Sequence, residues 1–362
     1  RATMTILAKS GRTAMIAAGG TGGHIFPGLA VAHALKMRNW NVIWLGTIKG
    51  MESTIVPQNN IEFHGIEFSG LRGKGILAWI KLPWRLLLAF LQTFREVRKS
   101  KPDVIVGFGG YVTFPAGIVA HLMRKAFIIH EQNSVAGLSN KILSFFATKS
   151  FTAFPHVIKD AIWIGNPLRK EFFAIDGPEV RYAKRQGPLN LLIIGGSLGA
   201  SFLNDLIPKS VALMPIHKLP NIVHQSGIAQ VEELRKIYQV NKIDASVTSF
   251  IQNVAFEYSK ADLVICRAGA STVTEIAAIG VAALFVPLPL AVDDHQTKNA
   301  QYLVDLEAAW LEPQKSLTPE KLAQILLLAD RDMLLKMAIQ SKNLHKSRAV
   351  DEMCDACEEY TV

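Results

Sequence analysis

The sequence predicts an α/β protein built from two parallel, doubly wound sheets. Three observations carry this. Short apolar runs of strand length are followed, repeatedly, by a glycine-containing turn and a helical stretch, the order that parallel sheets require. The order restarts midway: Thr13 to Ala18 runs into Gly19-Gly20-Thr21-Gly22-Gly23-His24, and Asn190 to Ile194 runs into Gly195-Gly196-Ser197-Leu198-Gly199-Ala200. The chain also has 362 residues, more than one core ordinarily organises, so two domains are expected.

In the first half, a helix is expected over Pro27 to Met37 and a second strand over Asn41 to Leu45, ending in Gly46-Thr47. Asp103 to Val106 is a further strand, followed by Gly107-Phe108-Gly109-Gly110-Tyr111. Phe127 to Ile129 is a short strand that ends at His130-Glu131-Gln132-Asn133, and Ile162 to Ile164 precedes Gly165-Asn166-Pro167-Leu168-Arg169. Pro167 to Pro188, rich in charge, glycine and proline, reads as the linker. Neither glycine turn is a dinucleotide fingerprint: the sixth position from Gly20 is Ile25, and the third from Gly195 is Ser197. Neither contains the Gly-Lys-Ser/Thr of a P-loop. Both are expected to cradle an anion on backbone N–H groups, with a ligand-free tight turn as the plain alternative.

In the second half, Ala261 to Cys266 is a strand entering the small-residue turn Arg267-Ala268-Gly269-Ala270-Ser271. Thr272 and Glu275 fit a capping box, and Gly280 a helix C-cap. A helix start offers N–H groups to a phosphate. Glu275 then either serves only as a cap or accepts two ribose hydroxyls. The next strand, ALFVPLP, leads to Asp293-Asp294-His295-Gln296, polar groups at the strand end where open α/β sheets bind ligands. No obligatory metal is expected, because adjacent aspartates tend to point apart.

Composition narrows the partners. Lys and Arg number 39 against 30 Asp and Glu, a net charge of +9 that favours a polyanionic partner. No nucleic-acid module is visible, so no nucleic-acid partner is expected. Three cysteines suit a reducing compartment, and Cys354-x-x-Cys357 lacks a second pair and reads as incidental. No signal peptide is expected. Gly70 to Phe94 is strongly apolar but interrupted by Lys74, Lys81, Pro83 and Arg85, too charged for a span of about 20 apolar residues. Ile76 to Trp84, with Trp79 and Trp84 beside cations, reads as a membrane-surface patch, and Leu86 to Leu91 as core.

With these stretches in hand, the sequence resembles the MurG family of peripheral-membrane glycosyltransferases. The resemblance rests on GGTGGHIFPGLAVAHAL, GFGGYVTFP, HEQNSVAGLSNK, GNPLR, GGSLGA, CRAGASTVTEIAAIGVAALFVP and DDHQTKNA, in order across nearly the whole chain. It implies a GT-B fold, two Rossmann-like domains with parallel sheets facing a cleft. Residues 1–166 with 345–362 would form the acceptor and membrane-associating domain, and 167–344 the donor domain. It implies inverting transfer of GlcNAc from UDP-GlcNAc to the MurNAc 4-hydroxyl of lipid I, at the cytoplasmic face of the bacterial inner membrane, with no cofactor. By motif, the donor would meet Thr21, Gly22, Gly23, Asn133, Arg169 and Ser197. The uracil would lie by Ile251, the phosphates by Ala270, Ser271, Thr272, Val273 and Thr274, the ribose on Glu275 and the sugar by Gln296. Leu198 departs from the family's common Gln.

Direct displacement needs a base for the acceptor hydroxyl. His24 is the first candidate, since an unperturbed imidazole titrates near pH ~6.5. Glu131 is the second, with His130 and Tyr111 as positioning groups. Rival readings are a diacylglycerol glycosyltransferase, a UDP-GlcNAc 2-epimerase, or a non-enzymatic basic membrane-binding protein.

Overall fold

The computed structural model of the chain describes residues 11–68, 82–195, 200–289 and 294–360. It divides into two compact units, Arg1–Arg169 with Arg348–Val362, and Lys170–Ser347.

The first unit is built on seven strands: β1 (Thr13–Ala18), β2 (Asn41–Thr47), β3 (Glu62–Ile66), β4 (Val104–Gly109), β5 (Ala126–Glu131), β6 (Lys149–Thr152) and β7 (Ile162–Trp163). Their order is 3-2-1-4-5-6-7, and every pair is parallel. The connecting helices are α1 (Gly22–Met37), α2 (Glu52–Gln58), α3 (Leu82–Ser100), α4 (Thr113–Leu122) and α5 (Leu138–Leu143). Central β1 is covered on both faces, which explains its unbroken apolar run. Successive side chains alternate faces: Ala14, Ile16 and Ala18 pack with α1 residues such as Leu29 and Leu35, while Met15 and Ala17 pack with Ala89 of α3 and Val119 of α4.

The second unit repeats the plan with β8 (Asn190–Ile194), β9 (Asn221–Gln225), β10 (Ala245–Thr248), β11 (Leu263–Cys266), β12 (Ala282–Phe285) and β13 (Trp310–Leu311), all parallel, in the order 10-9-8-11-12-13. Its helices are α6 (Pro178–Ala183), α7 (Ser201–Ala212), α8 (Val231–Val240), α9 (Val254–Lys260), α10 (Ala270–Ile279), α11 (His295–Val304), α12 (Pro319–Leu328) and α13 (Arg331–Asn343).

The last helix, α14 (Ala349–Glu359), belongs to the first unit. Ala349, Met353 and Cys357 lie on one helical face, four residues apart, and are buried in the same core as α1. Arg38 at the end of α1 pairs with Asp355 at 2.7 Å and Asp351 at 3.3 Å, and Lys149 with Glu359 at 2.8 Å. Cys354 and Cys357 are buried free thiols, and burial raises the pKa of Cys354 to about 12.

Four expectations are corrected. Helix α1 begins at Gly22, so Gly22, Gly23 and His24 form its first turn instead of a loop before Pro27. Residues 170–188 are packed structure and not a linker. Arg181 of α6 is buried and donates to the carbonyls of Asp176, Ser259, Ile279 and Gly280. The charge there caps the carbonyl ends of α9 and α10, where a cation is favoured. Leu86 to Leu91 is core only in part: on α3 Ala89, Thr93 and Val97 are buried and Phe90 packs against the same core, while Leu87, Leu88 and Leu91 are exposed. Finally, α10 starts at an extended Gly269, and no side chain caps it, so Thr272 and Glu275 form no capping box. The Gly280 C-cap stands, left-handed at φ 70°.

Met353→Ala removes a fully buried side chain from the core that joins α14 to β1. It is expected to destabilise the first unit by about 2–5 kcal/mol. Amide hydrogen exchange should show the loss in β1 and β4 and spare β8 and β11.

Candidate functional site

Ligand-facing groups in each unit collect where parallel strands end and helices begin. In the first unit this edge is a stack of glycine turns. Gly20 has φ 95°, Gly109 φ 104° and Gly110 φ 83°, conformations costly for a side chain. A Cβ on Gly110 would sit 2.1 Å from the Gly19 carbonyl oxygen, and one on Gly109 would sit 2.9 Å from the His24 ring. The turns after β1 and β4 therefore touch backbone to backbone, with His24 between them.

His24 Nδ1 lies 3.3 Å from the Gly19 carbonyl and 3.4 Å from Thr21 Oγ1. Burial holds its pKa below the ordinary imidazole value, opposed by the charge of Glu131, the Gly19 carbonyl and the charge of Glu52. The ring is thus neutral at pH 7, the state a general base needs. Glu131 is buried, and its carboxylate accepts from Asn133 N at 2.9 Å, Asn133 Nδ2 at 3.3 Å, Gly137 N at 3.2 Å and Asn140 Nδ2 at 2.8 Å. It organises the turn after β5, and Asn133 is held in that network. His130 is buried and neutral: Nε2–H donates to the Gly165 carbonyl at 2.8 Å and Nδ1 accepts from Gln132 Nε2 at 3.1 Å. Arg169 stacks over the Phe26 ring at 5.7 Å, which sets it beside the first turns of α1. Thr21, Gly22, Gly23, His24, Glu131, Asn133 and Arg169 are all carried by this unit.

In the second unit the edge is the start of α10. Its first turn carries no acid, because Glu275 sits one turn further on, and Val273 N already donates to the Gly269 carbonyl at 3.0 Å. The forward-facing donors are therefore the N–H groups of Ala270, Ser271 and Thr272. Val273 is buried, and Thr274 turns its hydroxyl back to the carbonyls of Ala270 at 2.9 Å and Ser271 at 3.0 Å, so neither side chain offers itself to a ligand. Glu275 is half-buried and accepts from the Tyr258 hydroxyl at 3.4 Å. Gln296 Oε1 takes Ala268 N at 3.3 Å and Leu288 N at 2.9 Å, joining the turns after β11 and β12. Only its amide nitrogen is left to donate. Arg267 spans the same turns, donating to Val286 O at 3.0 Å and Pro287 O at 3.3 Å. Ile251 is half-buried in the turn before α9. Ser197, Leu198 and Asp293 lie outside the described residues. Asp294 accepts from Thr297 Oγ1 at 2.7 Å, and among the described residues no group of three His, Cys, Asp or Glu could hold a metal ion.

Two further residues of the site stand in no motif of the sequence. Tyr258 gives no local signal before its packing is seen. Glu52 was signalled only by the glycines around it, Gly46 and Gly50, which leave space for its side chain.

Two parallel, doubly wound sheets with anion-ready turns at their strand ends are the architecture of the GT-B class, and the family models make the chain a glycosyltransferase of that class. The glycosyltransferase family 28 N-terminal domain matches residues 14–152, and the family 28 C-terminal domain matches residues 190–353. A UDP-N-acetylglucosamine--N-acetylmuramyl-(pentapeptide) pyrophosphoryl-undecaprenol N-acetylglucosamine transferase of Paracidovorax citrulli is 53% identical over 350 residues, covering 97% of this chain and 99% of the relative. A protein of the same description from Cupriavidus necator is 49% identical, covering 96% and 97%. The crystal structure of Acinetobacter baumannii MurG superposes with a TM-score of 0.84 at 39% identity, over 96% of this chain and 99% of that one. A putative UDP-N-acetylglucosamine 2-epimerase from Listeria monocytogenes reaches a TM-score of 0.66 at 13% identity over 97% of each chain, a likeness of fold alone. The chain belongs to glycosyltransferase family 28, in its MurG branch.

His130 ties the stability of the first unit to pH. Burial lowers its pKa to about 4, below the unfolded value of ~6.5. Its stabilisation is complete above pH ~6.5 and lost as pH falls toward 4, at up to about 1.4 kcal/mol per pH unit. Exchange protection of β5 should fall between pH 6.5 and 5 with this slope, and the slope should flatten in His130→Gln.

Proposed function

We propose that the chain transfers GlcNAc from UDP-GlcNAc to the MurNAc 4-hydroxyl of undecaprenyl-pyrophosphoryl-MurNAc-pentapeptide, lipid I, with inversion, giving lipid II and UDP in peptidoglycan synthesis. One observation carries the reading: half-identity over 97% of the chain to relatives described by that transfer, with the family motifs at the strand ends.

The second unit binds the donor. The N–H groups of Ala270, Ser271 and Thr272 receive the diphosphate, and the helix dipole of α10 favours its charge. Glu275, steadied by Tyr258, accepts the ribose hydroxyls. The uracil meets the backbone at Ile251, and Gln296 donates its amide to the sugar. Thr21, Gly22, Gly23, Asn133, Arg169 and Ser197 complete the substrate contacts. The first unit binds the acceptor. His24 Nε2 takes the hydroxyl proton as that oxygen attacks the anomeric carbon, and the bond to UDP breaks. Of the two base candidates the geometry favours His24, because the Glu131 carboxylate is committed to four donors of its own turn. Departing charge on UDP is stabilised by donors already in place, which is worth more than donors recruited from water.

The acceptor's lipid tail makes a membrane-facing surface useful. Trp84, Leu87, Leu88 and Leu91 recur at helical spacing on α3 and are exposed, Trp84 by 65%. No helix among the described residues is long and apolar enough to cross a membrane, so this stripe is proposed to dock on an anionic surface as a peripheral contact. Lys74, Ile76, Trp79 and Lys81 of the same apolar segment lie outside the described residues.

Labelled UDP-GlcNAc mixed with lipid I and the protein should yield labelled lipid II and free UDP. Transfer to diacylglycerol instead, or epimerisation without transfer, would overturn the proposal. Glu275→Ala should weaken UDP-GlcNAc binding by about tenfold or more, as expected for a lost charged hydrogen bond worth 1.5–3 kcal/mol. Its melting should barely change, since Glu275 caps nothing. Unchanged affinity in calorimetric titration would remove Glu275 from the ribose site. Trp84→Ser with Leu91→Ser should lower co-sedimentation with phosphatidylglycerol vesicles by at least about tenfold. Equal sedimentation would refute the docking stripe.

A further inference from the structure

Glu52 is fully buried at the start of α2, and its carboxylate is turned beneath the first glycine turn. Oε1 accepts from Thr47 N at 2.9 Å and from Thr47 Oγ1 at 2.7 Å, and Oε2 accepts from Gly20 N at 3.2 Å. Burying a carboxylate is costly without such donors. Three glycines make the room: a Cβ on Gly19, Gly46 or Gly50 would lie 2.5, 2.7 or 2.2 Å from Glu52 side-chain atoms.

The peptide unit between Gly19 and Gly20 connects this carboxylate to His24. Its N–H donates to Glu52, and its C=O, at the other end, lies 3.3 Å from His24 Nδ1. The Gly19 carbonyl oxygen can only accept, and the Thr21 hydroxyl, 3.4 Å from the same nitrogen, can accept as well, so the single ring proton of neutral His24 is placed on Nδ1 and the lone pair on Nε2. A carboxylate on the N–H polarises the peptide and makes its oxygen the better acceptor.

We infer that Glu52 is a positioning residue, which, through the Gly19–Gly20 peptide, holds the first glycine turn in place and fixes His24 as the Nδ1–H tautomer with Nε2 presented as the base. The inference rests on the reading of His24 as the base for the acceptor hydroxyl. It gives the chain the logic of a base oriented by a carboxylate, with a peptide group standing between the two. The charged groups acting on His24 are Glu52 from α2 and Glu131 from β5, and both favour the protonated ring. Removing the charge of Glu52 therefore makes His24 harder to protonate.

The test uses the full-length protein with labelled histidine, followed by proton–nitrogen correlation spectra across a pH titration. Wild-type His24 should show the Nδ1–H tautomer near neutrality. In Glu52→Gln its pKa should fall and the tautomers should mix. Single-turnover rate with both substrates saturating should drop about 10- to 100-fold, part of what a positioned base contributes. The acidic limb of the pH–rate profile should move to lower pH. A wild-type His24 protonated on Nε2 would overturn the inference without any variant having to fold. So would a folded Glu52→Gln protein whose His24 pKa and tautomer match wild type. If the ring responds but turnover does not, the hold of Glu52 on His24 is supported and it is the base role of His24 that fails.

Discussion

Parallel strand pairing is the constraint on which the rest depends. Strands that all run one way need a crossover back, here mostly helical, so the crossover helices start at the same edge of their sheet. The chain has only a few residues in which to turn there. Where two such turns meet, side chains do not fit: Gly110 sits with φ 83° against the Gly19 carbonyl, 2.1 Å from where a Cβ would stand. The same turns leave backbone N–H groups unpaired at helix starts, the raw material of an anion site. Fold and site thus come from one requirement in each unit.

That origin explains what could be read from residues alone. β1 and β8 are legible to the residue, at Thr13–Ala18 and Asn190–Ile194, because a strand buried on both faces is an unbroken apolar run bounded by a glycine turn. Helix boundaries were less legible. Gly22 and Gly23 read as turn, yet they are the first residues of α1, since glycine weakens a helix without forbidding it. The apparent linker hid Arg181 and Tyr182, whose burial depends on carbonyls some 80 to 100 positions away, a relation no local pattern records. On α3, leucine content suggested core, but the helical phase puts Ala89 and Val97 inward and Leu87 and Leu91 outward.

The candidate site was legible to a similar depth. Position at the strand ends singled out His24, Glu131 and the 270–275 turn, and family motifs added Asn133, Arg169 and Gln296. What the sequence could not supply was the partner of each group. For Glu275 the sequence leaves a cap as the plain alternative to a ribose contact, and the extended Gly269 at the start of α10 removes that alternative. The sequence ranks Glu131 second to His24 as a base, and the four donors on its carboxylate supply the reason that residues alone do not. Glu52 sits in no motif, and its meaning lies in a contact with Gly20 across 32 positions.

The proposed donor site places the diphosphate on the backbone at the start of α10 and not on the glycine turn after β1. A crystal structure with UDP-GlcNAc bound tests it most directly. Diphosphate oxygens should lie at hydrogen-bonding distance, about 2.7–3.2 Å, from the amides of Ala270, Ser271 and Thr272, with the ribose hydroxyls on Glu275. A diphosphate seated on Gly19 to Gly23, with the α10 start and Glu275 untouched, would contradict it.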